Sequence, residues 1–498
     1  MTAAHLEPSS SHGARPVGAL LVAGAAAATV AALALPDAGW ARAVVATLLA
    51  ITLVVVAWRN RTAAVLATAG FLASLGALRR LVSMVQADPA DDPLLLVAPV
   101  VAAVLALLAL RDGATRDRTP LTYGVAVFAA VTVVAVLNPI LPLLDQVKGT
   151  LFWTVPLLWF PVGRLLDADG VRRVLHLVAA LGVGACATGV FQATVRFPTW
   201  DQRWIDERGY LALNIDGPDN LRPFGWSASA GEFALTAAIV AVLCGLLLAD
   251  GIARRRPAMI AASTTGVAIA SAALALSAVR TAVLLGLVAA VVVAVAHRRA
   301  SLGRVLGGLT LAVLVLVGGV RALDVESWQG RGFTANLRRS LVGLASPFDP
   351  EKSTLRAHID LTEGAFRTLD DRPLGGGPGF GTTGSPDGGP TERERAEAES
   401  AGPPAPEADD EASTQRRSAE NDLGNALLAF GVPGGALVLI VTVLGLRSAW
   451  RGVCVRPDLI TLGILGILVA SLRFWWTGGH YAPAMLVWLV LGWSDRPR

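Results

Sequence analysis

The chain alternates long apolar runs with short polar ones. From Val17 to Trp493, runs of roughly 12 to 23 apolar residues recur, most of them long enough to cross a hydrocarbon core of about 30 Å as a helix. In order they predict spans near 17–35, 41–58, 63–80, 94–110, 120–138, 150–164, 171–192, 231–250, 257–277, 281–296, 303–320, 424–446, 457–475 and 482–493. The pattern predicts an all-α fold, a polytopic transmembrane helical bundle of about fourteen spans, or twelve. Val17 to Leu35 is too long for a signal-peptide core and has no clear cleavage site, so it reads as a retained first span.

Composition agrees with this pattern and excludes a string of soluble domains. Of 498 residues 54% are hydrophobic and 16% charged, and the mean hydropathy is +0.57. A net charge of +4 would suggest nucleic acid in a soluble chain, but the positive residues lie in short clusters between spans, a pattern that reports topology. No nucleic-acid partner is expected. Every second connection is arginine-rich: Arg59 and Arg61; Arg111, Arg116 and Arg118; Arg164, Arg172 and Arg173; Arg254 to Arg256; Arg298, Arg299 and Arg304; Arg447, Arg451 and Arg456; Arg496 and Arg498. The positive-inside rule puts these connections and both termini in the cytoplasm of a bacterial cell; Arg79 and Arg80 depart from the rule. The only lysines are Lys148 and Lys352, and this arginine excess, with the alanine and valine richness, suits a high-GC bacterial genome. Cys186, Cys244 and Cys454 have no metal-ligand spacing and imply no disulfide framework.

The expected organisation is a cytoplasmic tail (1–16), spans 1–11 (17–320) with an external loop near 193–230, a large extracytoplasmic loop (321–423), spans 12–14 (424–493) and a cytoplasmic tail (494–498). Long connections are usually functional or disordered. Residues 381–418 lack aromatic and large aliphatic residues and read as a disordered insertion. Before them, Leu355, Ile359, Leu361, Ala365, Phe366 and Leu369 recur at near-helical spacing, which predicts an amphipathic helix over 353–369 lying on the membrane-embedded part.

Four segments fall at the predicted outer face. They are Leu221-Arg222-Pro223-Phe224-Gly225-Trp226; Arg280-Thr281-Ala282-Val283-Leu284; Arg356 through Gly381, with a run of glycines from Gly375; and Glu420-Asn421-Asp422-Leu423 followed by Phe430-Gly431-Val432-Pro433-Gly434. Taken together these segments resemble the O-antigen ligase and polymerase superfamily, over roughly residues 215–450. The ligase pattern Arg-x3-Leu is matched by Arg280 and Leu284. The pattern His-(Asn/Ser/Gln)-x9-Gly-x-x-(Gly/Thr/Tyr) is matched by Asn421, Gly431 and Gly434, with Glu420 where the histidine would stand. Pro373 to Gly379, including Gly375, Gly377 and Gly379, is similar to the family's Pro-Leu-Leu-Gly-x-Gly-x-Gly stretch, and Arg222-Pro-Phe-Gly to its Arg-Pro-x-Gly.

The resemblance implies a membrane glycosyltransferase that moves or polymerises glycan from an undecaprenyl-diphosphate-linked donor onto an acceptor hydroxyl at the outer face of the cytoplasmic membrane. Such transfer needs a base on the acceptor and positive charge on the departing diphosphate. Arginine suits the second role, because its planar fork binds phosphate oxygens in bidentate fashion. Arg280, Arg222 and Arg356 are the candidates, and for each the alternative is a loop charge. Glu420 is the candidate base, or a first-turn acid at the start of the twelfth span with Asn421 or Ser418 capping it. His358 and His480 are alternative bases. The glycine run is either an anion-binding nest of amides or a flexible turn. Asp422 and Asp360 belong to no acidic cluster, so the expected reaction is metal-independent and without cofactor. Trp475 and Trp476 read as interfacial anchors in preference to sugar-stacking residues. The expected partners are the lipid-linked donor, a glycan, lipid or cell-wall acceptor, the bilayer and polysaccharide-assembly proteins. The competing readings are a transporter or flippase of a lipid-linked saccharide and a non-catalytic assembly protein. Charges crowded at span rims, with span centres nearly free of them, favour surface chemistry over transport.

Overall fold

The computed structural model describes residues 38–84, 92–208, 221–298, 325–346, 355–380, 421–476 and 481–496, with a few isolated positions besides. Every regular element among them is a helix. The first group is α1 (Ala38–Arg59), α2 (Arg61–Ser83), α3 (Val97–Arg111, extended backward by a 3-10 turn from Pro93), α4 (Pro120–Ala135), α5 (Leu143–Leu157), α6 (Trp159–Leu165), α7 (Ala168–Thr194) and α8 (Thr199–Arg208). The second is α9 (Ala230–Ala253), α10 (Pro257–Leu276), α11 (Arg280–Arg298), α12 (Phe333–Ala345), α13 (Leu355–Asp371), α14 (Asp422–Val455), α15 (Leu459–Ala470) and α16 (Tyr481–Ser494).

Eight of these are long and apolar enough to cross a membrane, namely α1, α2, α3 with its 3-10 turn, α7, α9, α10, α11 and α14; α4, α15 and α16 are apolar but shorter. The protein is a polytopic helical membrane protein. The expected spans at 17–35 and 303–320 lie outside the described residues except for isolated positions, as does the 381–418 insertion.

Helix starts follow local chemistry. Asn60, Thr119, Asp167 and Ser229 each accept a bond from a first-turn amide of α2, α4, α7 and α9, and Asp458 forms a full capping box with Thr461 at α15. Each such cap is worth about 1 kcal/mol. The run expected at 150–164 is two helices, α5 and α6, broken at Leu158 just after Pro156, whose ring and missing N–H disturb the turn before it. The run expected at 457–475 is helical only over α15, whose residues Ile460 to Ala470 are all buried. Non-helical backbone at membrane depth is tolerated where protein covers it. The turn that follows α15 meets this condition, because Trp475 and Trp476 are both 0% exposed.

Those two tryptophans therefore are not interfacial anchors. They join an aromatic core, in which Phe128 lies 5.5 Å from Trp476 and 5.6 Å from Phe430, and Trp153 lies 5.1 Å from Phe430. The indole Nε1 of Trp488 donates to the Trp475 carbonyl at 2.7 Å.

The bundle has two distinct ends. At one, Arg164 at the end of α6 bonds Asp495 and Thr122, and Arg496 bonds the Leu166 carbonyl, so the C-terminal helix is tied to α4 and α6. Arg61 and Asp112 pair at this end, and Arg164 also donates to the Asp117 carbonyl at 2.7 Å. At the other end lie the four segments singled out from the sequence, and Arg79 and Arg80 with them. These two arginines escape the charge pattern because carboxylates hold them: Arg79 meets Asp92 at 2.7 Å and Arg80 meets Asp201 at 2.6 Å.

Candidate functional site

The site end is built around a buried clamp. Arg80, at the end of α2 and 2% exposed, donates from Nε to Asp201 Oδ1 at 2.6 Å, from Nη1 to the Ser227 carbonyl at 2.7 Å and from Nη2 to the Gly225 carbonyl at 2.5 Å. The Phe224 ring centroid lies 4.6 Å from its guanidinium carbon, in the range for a cation–π contact. Gln192 of α7 completes the arrangement: Nε2 donates to Asp201 Oδ2 at 2.7 Å, and Oε1 accepts from the amides of Phe224 and Gly225 at 3.0 and 2.8 Å. Burial pushes the Asp201 carboxyl above the usual carboxylate range, against the opposing pull of Arg80. The clamp fixes the backbone of residues 224–227, and with it the approach of Arg222.

Arg280 opens α11 beside this segment. Its guanidinium crosses the backbone of α12 at Gly343, where a Cβ would overlap Nε, Cζ and Nη2. Arg339 on α12 and Arg222 lie within electrostatic range of it. The next residue, Thr281, accepts from Arg473 Nη1 at 3.0 Å, and the Arg473 carbonyl accepts the Asp422 amide at 3.2 Å. Asp422 Oδ2 in turn accepts the amides of Trp475 and, at 3.1 Å, Trp476. Asn421 is the N-cap of α14, accepting from Gly424 N at 2.8 Å, and its Nδ2 donates to Thr362 Oγ1 of α13 at 3.2 Å. A continuous series of contacts thus runs from Arg280 through Arg473 to the start of α14 and onto α13.

The glycine run has a structural task. Gly431 sits inside α14 with φ 63° and ψ −154°, and the helix bends there. The bend sends the Val432 amide to the Pro373 carbonyl at 3.0 Å, and Pro433 has no amide to give, so the carbonyls of Leu428 and Ala429 lose their helical partners. The amides of Gly376 and Gly377 replace them, each at 2.8 Å. Gly379 N donates to Gln146 Oε1 at 3.1 Å, and the Gly375 carbonyl accepts from Asn138 at 3.2 Å. With these amides spent inside the protein, the run braces the bend and presents no nest to an anion.

An apolar cleft opens between α2, α7, α9 and α16. Arg79, Trp226 and Glu232 stand at its site end, and Leu72, Val174 and Leu489 line its depth. Along α7 it extends from Ala185 to Val174, about 16 Å at 1.5 Å per residue. Glu232 caps the first turn of α9, accepting the Ala228 amide at 2.9 Å while its own amide bonds Ser229 Oγ at 3.1 Å.

Of the residues expected at the site, Arg222, Arg280, Asn421, Gly375, Gly377, Gly379, Gly431 and Gly434 are all at this end, and Leu284 lies one turn into α11, 43% exposed. Arg356 and His358 are in the first turn of α13, with their side chains outside the described residues, as are Glu420 and His480 entirely. Sequence reasoning missed Arg80, Asp201, Gln192, Arg339, Gly343 and Arg473. It also missed α12, although Phe333, Leu337, Leu341 and Leu344 recur at helical spacing between Gly332 and Pro347.

The fold defines a multi-span membrane protein whose polar end carries several arginines. Residues 265–439 match the O-antigen ligase family, a stretch that runs from α10 into α14 and encloses Arg280, α12, the glycine run and the bend. Over this stretch the chain is similar to the O-antigen ligase family, which supports an O-antigen ligase or polymerase type of function. No curated protein matches the chain.

Proposed function

We propose that the protein transfers glycan from an undecaprenyl-diphosphate-linked donor to an acceptor hydroxyl, without a metal ion. The observation that carries this reading is the gathering of Arg222, Arg280 and the Asn421 turn at one end of the bundle, linked through Arg473. Arg280 and Arg222, with Arg356, hold the diphosphate; paired charge-assisted hydrogen bonds from guanidinium suit its oxygens. The donor's polyprenyl chain lies in the apolar cleft, whose site end is formed by Trp226 and its neighbours, four residues from Arg222.

Glu420, next to the α14 cap, takes the proton of the acceptor hydroxyl as its oxygen attacks the anomeric carbon. The bond from that carbon to the diphosphate breaks, its electron pair passes to the diphosphate oxygen, and the anomeric centre inverts. His358 and His480 are the alternative bases. The arginine-rich end faces the cytoplasm together with both termini, and the site end faces outward, in keeping with the positive-inside rule.

The test is glycan transfer by purified protein from an undecaprenyl-diphosphate donor, comparing wild type with Glu420→Gln and Arg280→Ala at matched folding. Loss of turnover in both variants, on the order of 100-fold or more for the base, supports the reading. Turnover that survives Glu420→Gln moves the base to His358 or His480. Absence of wild-type turnover together with movement of lipid-linked saccharide across a bilayer overturns it in favour of transport.

A further inference from the structure

The groove between α2 and α7 continues past the apolar cleft. Leu177, which lines the cleft, also lines a second and more open depression nearer the start of α7, together with Leu66 of α2 and with Arg172, Arg173 and His176. This depression lies at the end of the bundle opposite the polar site. The helix α7 begins at Ala168, close to the Arg164–Asp495 tie, and ends just past Gln192 of the Arg80 clamp. Leu66 and Leu177 are half-buried and make the apolar part of the depression, and Arg172, Arg173 and His176 are exposed and make its polar rim.

The acidic residues close by are engaged elsewhere. Asp169 meets Arg172 at 2.7 Å, Asp167 caps α7 by accepting the Gly170 amide at 2.7 Å, and Asp112 pairs with Arg61 at the start of α2. The Arg172 carbonyl accepts from His176 Nδ1 at 2.7 Å, which fixes the imidazole as one wall. No carboxylate lines the depression, and Arg173 has no acidic partner among the described residues. Arginine at a span end is attracted to anionic headgroups wherever it stands. What this place adds is an apolar groove leading away from the guanidinium, so that the head and the chain of one amphiphile are held together.

We infer that this depression binds a phospholipid of net negative charge from the leaflet at this end, with its phosphate on Arg173 and Arg172 and one acyl chain against Leu66 and Leu177. The planar fork of Arg173 suits two phosphate oxygens, and Arg172 divides its donors between the phosphate and Asp169. The site stands about 28 Å along α7 from Gln192, at 1.5 Å per residue, and does not rest on the transferase reading.

The experiment titrates the full chain in a neutral detergent with dioleoylphosphatidylglycerol or dioleoylphosphatidylcholine and reads the lipid retained by native mass spectrometry. The unfolding midpoint without lipid checks folding. Wild type is expected to retain the anionic lipid in preference to the zwitterionic one. Arg173→Ala weakens that retention about fivefold, and Arg172→Ala by less. Arg451→Ala removes an exposed arginine at the same end of the bundle, one turn past Ser448, which bonds the Ser494 carbonyl, and leaves retention as in wild type. Leu66→Gln weakens it by setting an amide against the chain. Should that variant fold poorly, glycerol phosphate, a headgroup without chains, tests the same contact on wild type and is expected not to displace the lipid.

Equal retention of the two lipids by wild type overturns the inference, and so do equal losses in Arg173→Ala and Arg451→Ala. Either result leaves only the diffuse attraction of a positive rim for an anionic surface. Glycerol phosphate that binds as tightly as the lipid also overturns it, since the groove would then hold a phosphate and no chain.

Discussion

Arg80 and Arg280 stand at the same end of the bundle, each at the rim of a long apolar helix, yet their surroundings are opposite. Arg80 is enclosed by acceptors: a carboxylate, two carbonyls and an aromatic face. Arg280 is half-buried, crosses the backbone of α12 at Gly343, and has the like charges of Arg339 and Arg222 within range. An arginine among acceptors has its charge compensated by the fold and serves the fold. A half-exposed arginine near other guanidinium groups stands where an anion can reach it. The two residues are of one type, so their neighbours and their exposure carry the contrast.

The sharpest way to break this contrast is to remove Arg80. Arg80→Ala leaves Asp201 buried without its cation and two carbonyls without their donor, a change expected to cost about 3–5 kcal/mol. The unfolding midpoint should fall markedly, and by more than in Arg280→Ala, whose side chain is only half-buried. The pH dependence adds a sign. A carboxyl whose folded pKa is raised contributes stability that is fully present below its unfolded pKa and lost as pH rises through the folded value. Without the opposing pull of Arg80 the Asp201 carboxyl rises further, so the deficit of Arg80→Ala should be larger at pH 8 than at pH 5. A deficit of equal size for Arg80→Ala and Arg280→Ala would erase the distinction.

A second test concerns the bend in α14. Gly431→Ala asks an L-residue to hold φ 63° and places a Cβ over the Pro373 carbonyl oxygen. The strained backbone alone costs about 1–3 kcal/mol. The variant should lose stability and glycan transfer together, and pyrophosphate affinity in the fraction that remains folded should match wild type, because Arg222 and Arg280 do not rest on the bend. Loss of pyrophosphate binding with an unchanged unfolding midpoint would instead make Gly431 part of the anion site.

How far the sequence reveals this molecule depends on the range of the interaction. The helices were legible because each apolar run carries its own signal, and so was the amphipathic helix expected at 353–369, observed at Leu355–Asp371 with Ala365 buried. Phe366, counted on its apolar face, is 50% exposed, since neighbouring positions on a helix point about 100° apart and Ala365 takes the contact. The clamp was not legible. Arg80 finds Asp201 across 121 residues and the Gly225 carbonyl across 145, and no local pattern encodes either. Trp475 and Trp476 misled for a related reason: a tryptophan pair beside an arginine at a span end looks the same whether it faces headgroups or Phe128 and Asp422. The motif residues were picked out by resemblance alone, while Asn336 and Ser340 were not, because α12 turns these polar side chains to the Leu221 and Ala275 carbonyls and an apolar stripe does not mark them.

The smallest effect is expected at the opposite end, where Arg61 and Asp112 form an exposed counterpart of the Arg80–Asp201 pair. The hydrogen bond from Arg61, aided by Arg111, holds the Asp112 carboxyl below the usual range. A carboxyl whose folded pKa is lowered contributes stability that is present above its unfolded value and lost as pH falls through the folded one. Asp112→Asn should therefore lower the unfolding midpoint slightly at pH 7, and the difference from wild type should shrink once pH passes below about 3.9, the ordinary aspartate value. Raising the salt to about 1 M, where the Debye length is about 3 Å, should shrink it at pH 7 as well. Midpoints at both pH values and both ionic strengths decide the matter. A salt-insensitive loss as large as that of Arg80→Ala would mean that water screens this pair no better than the buried one.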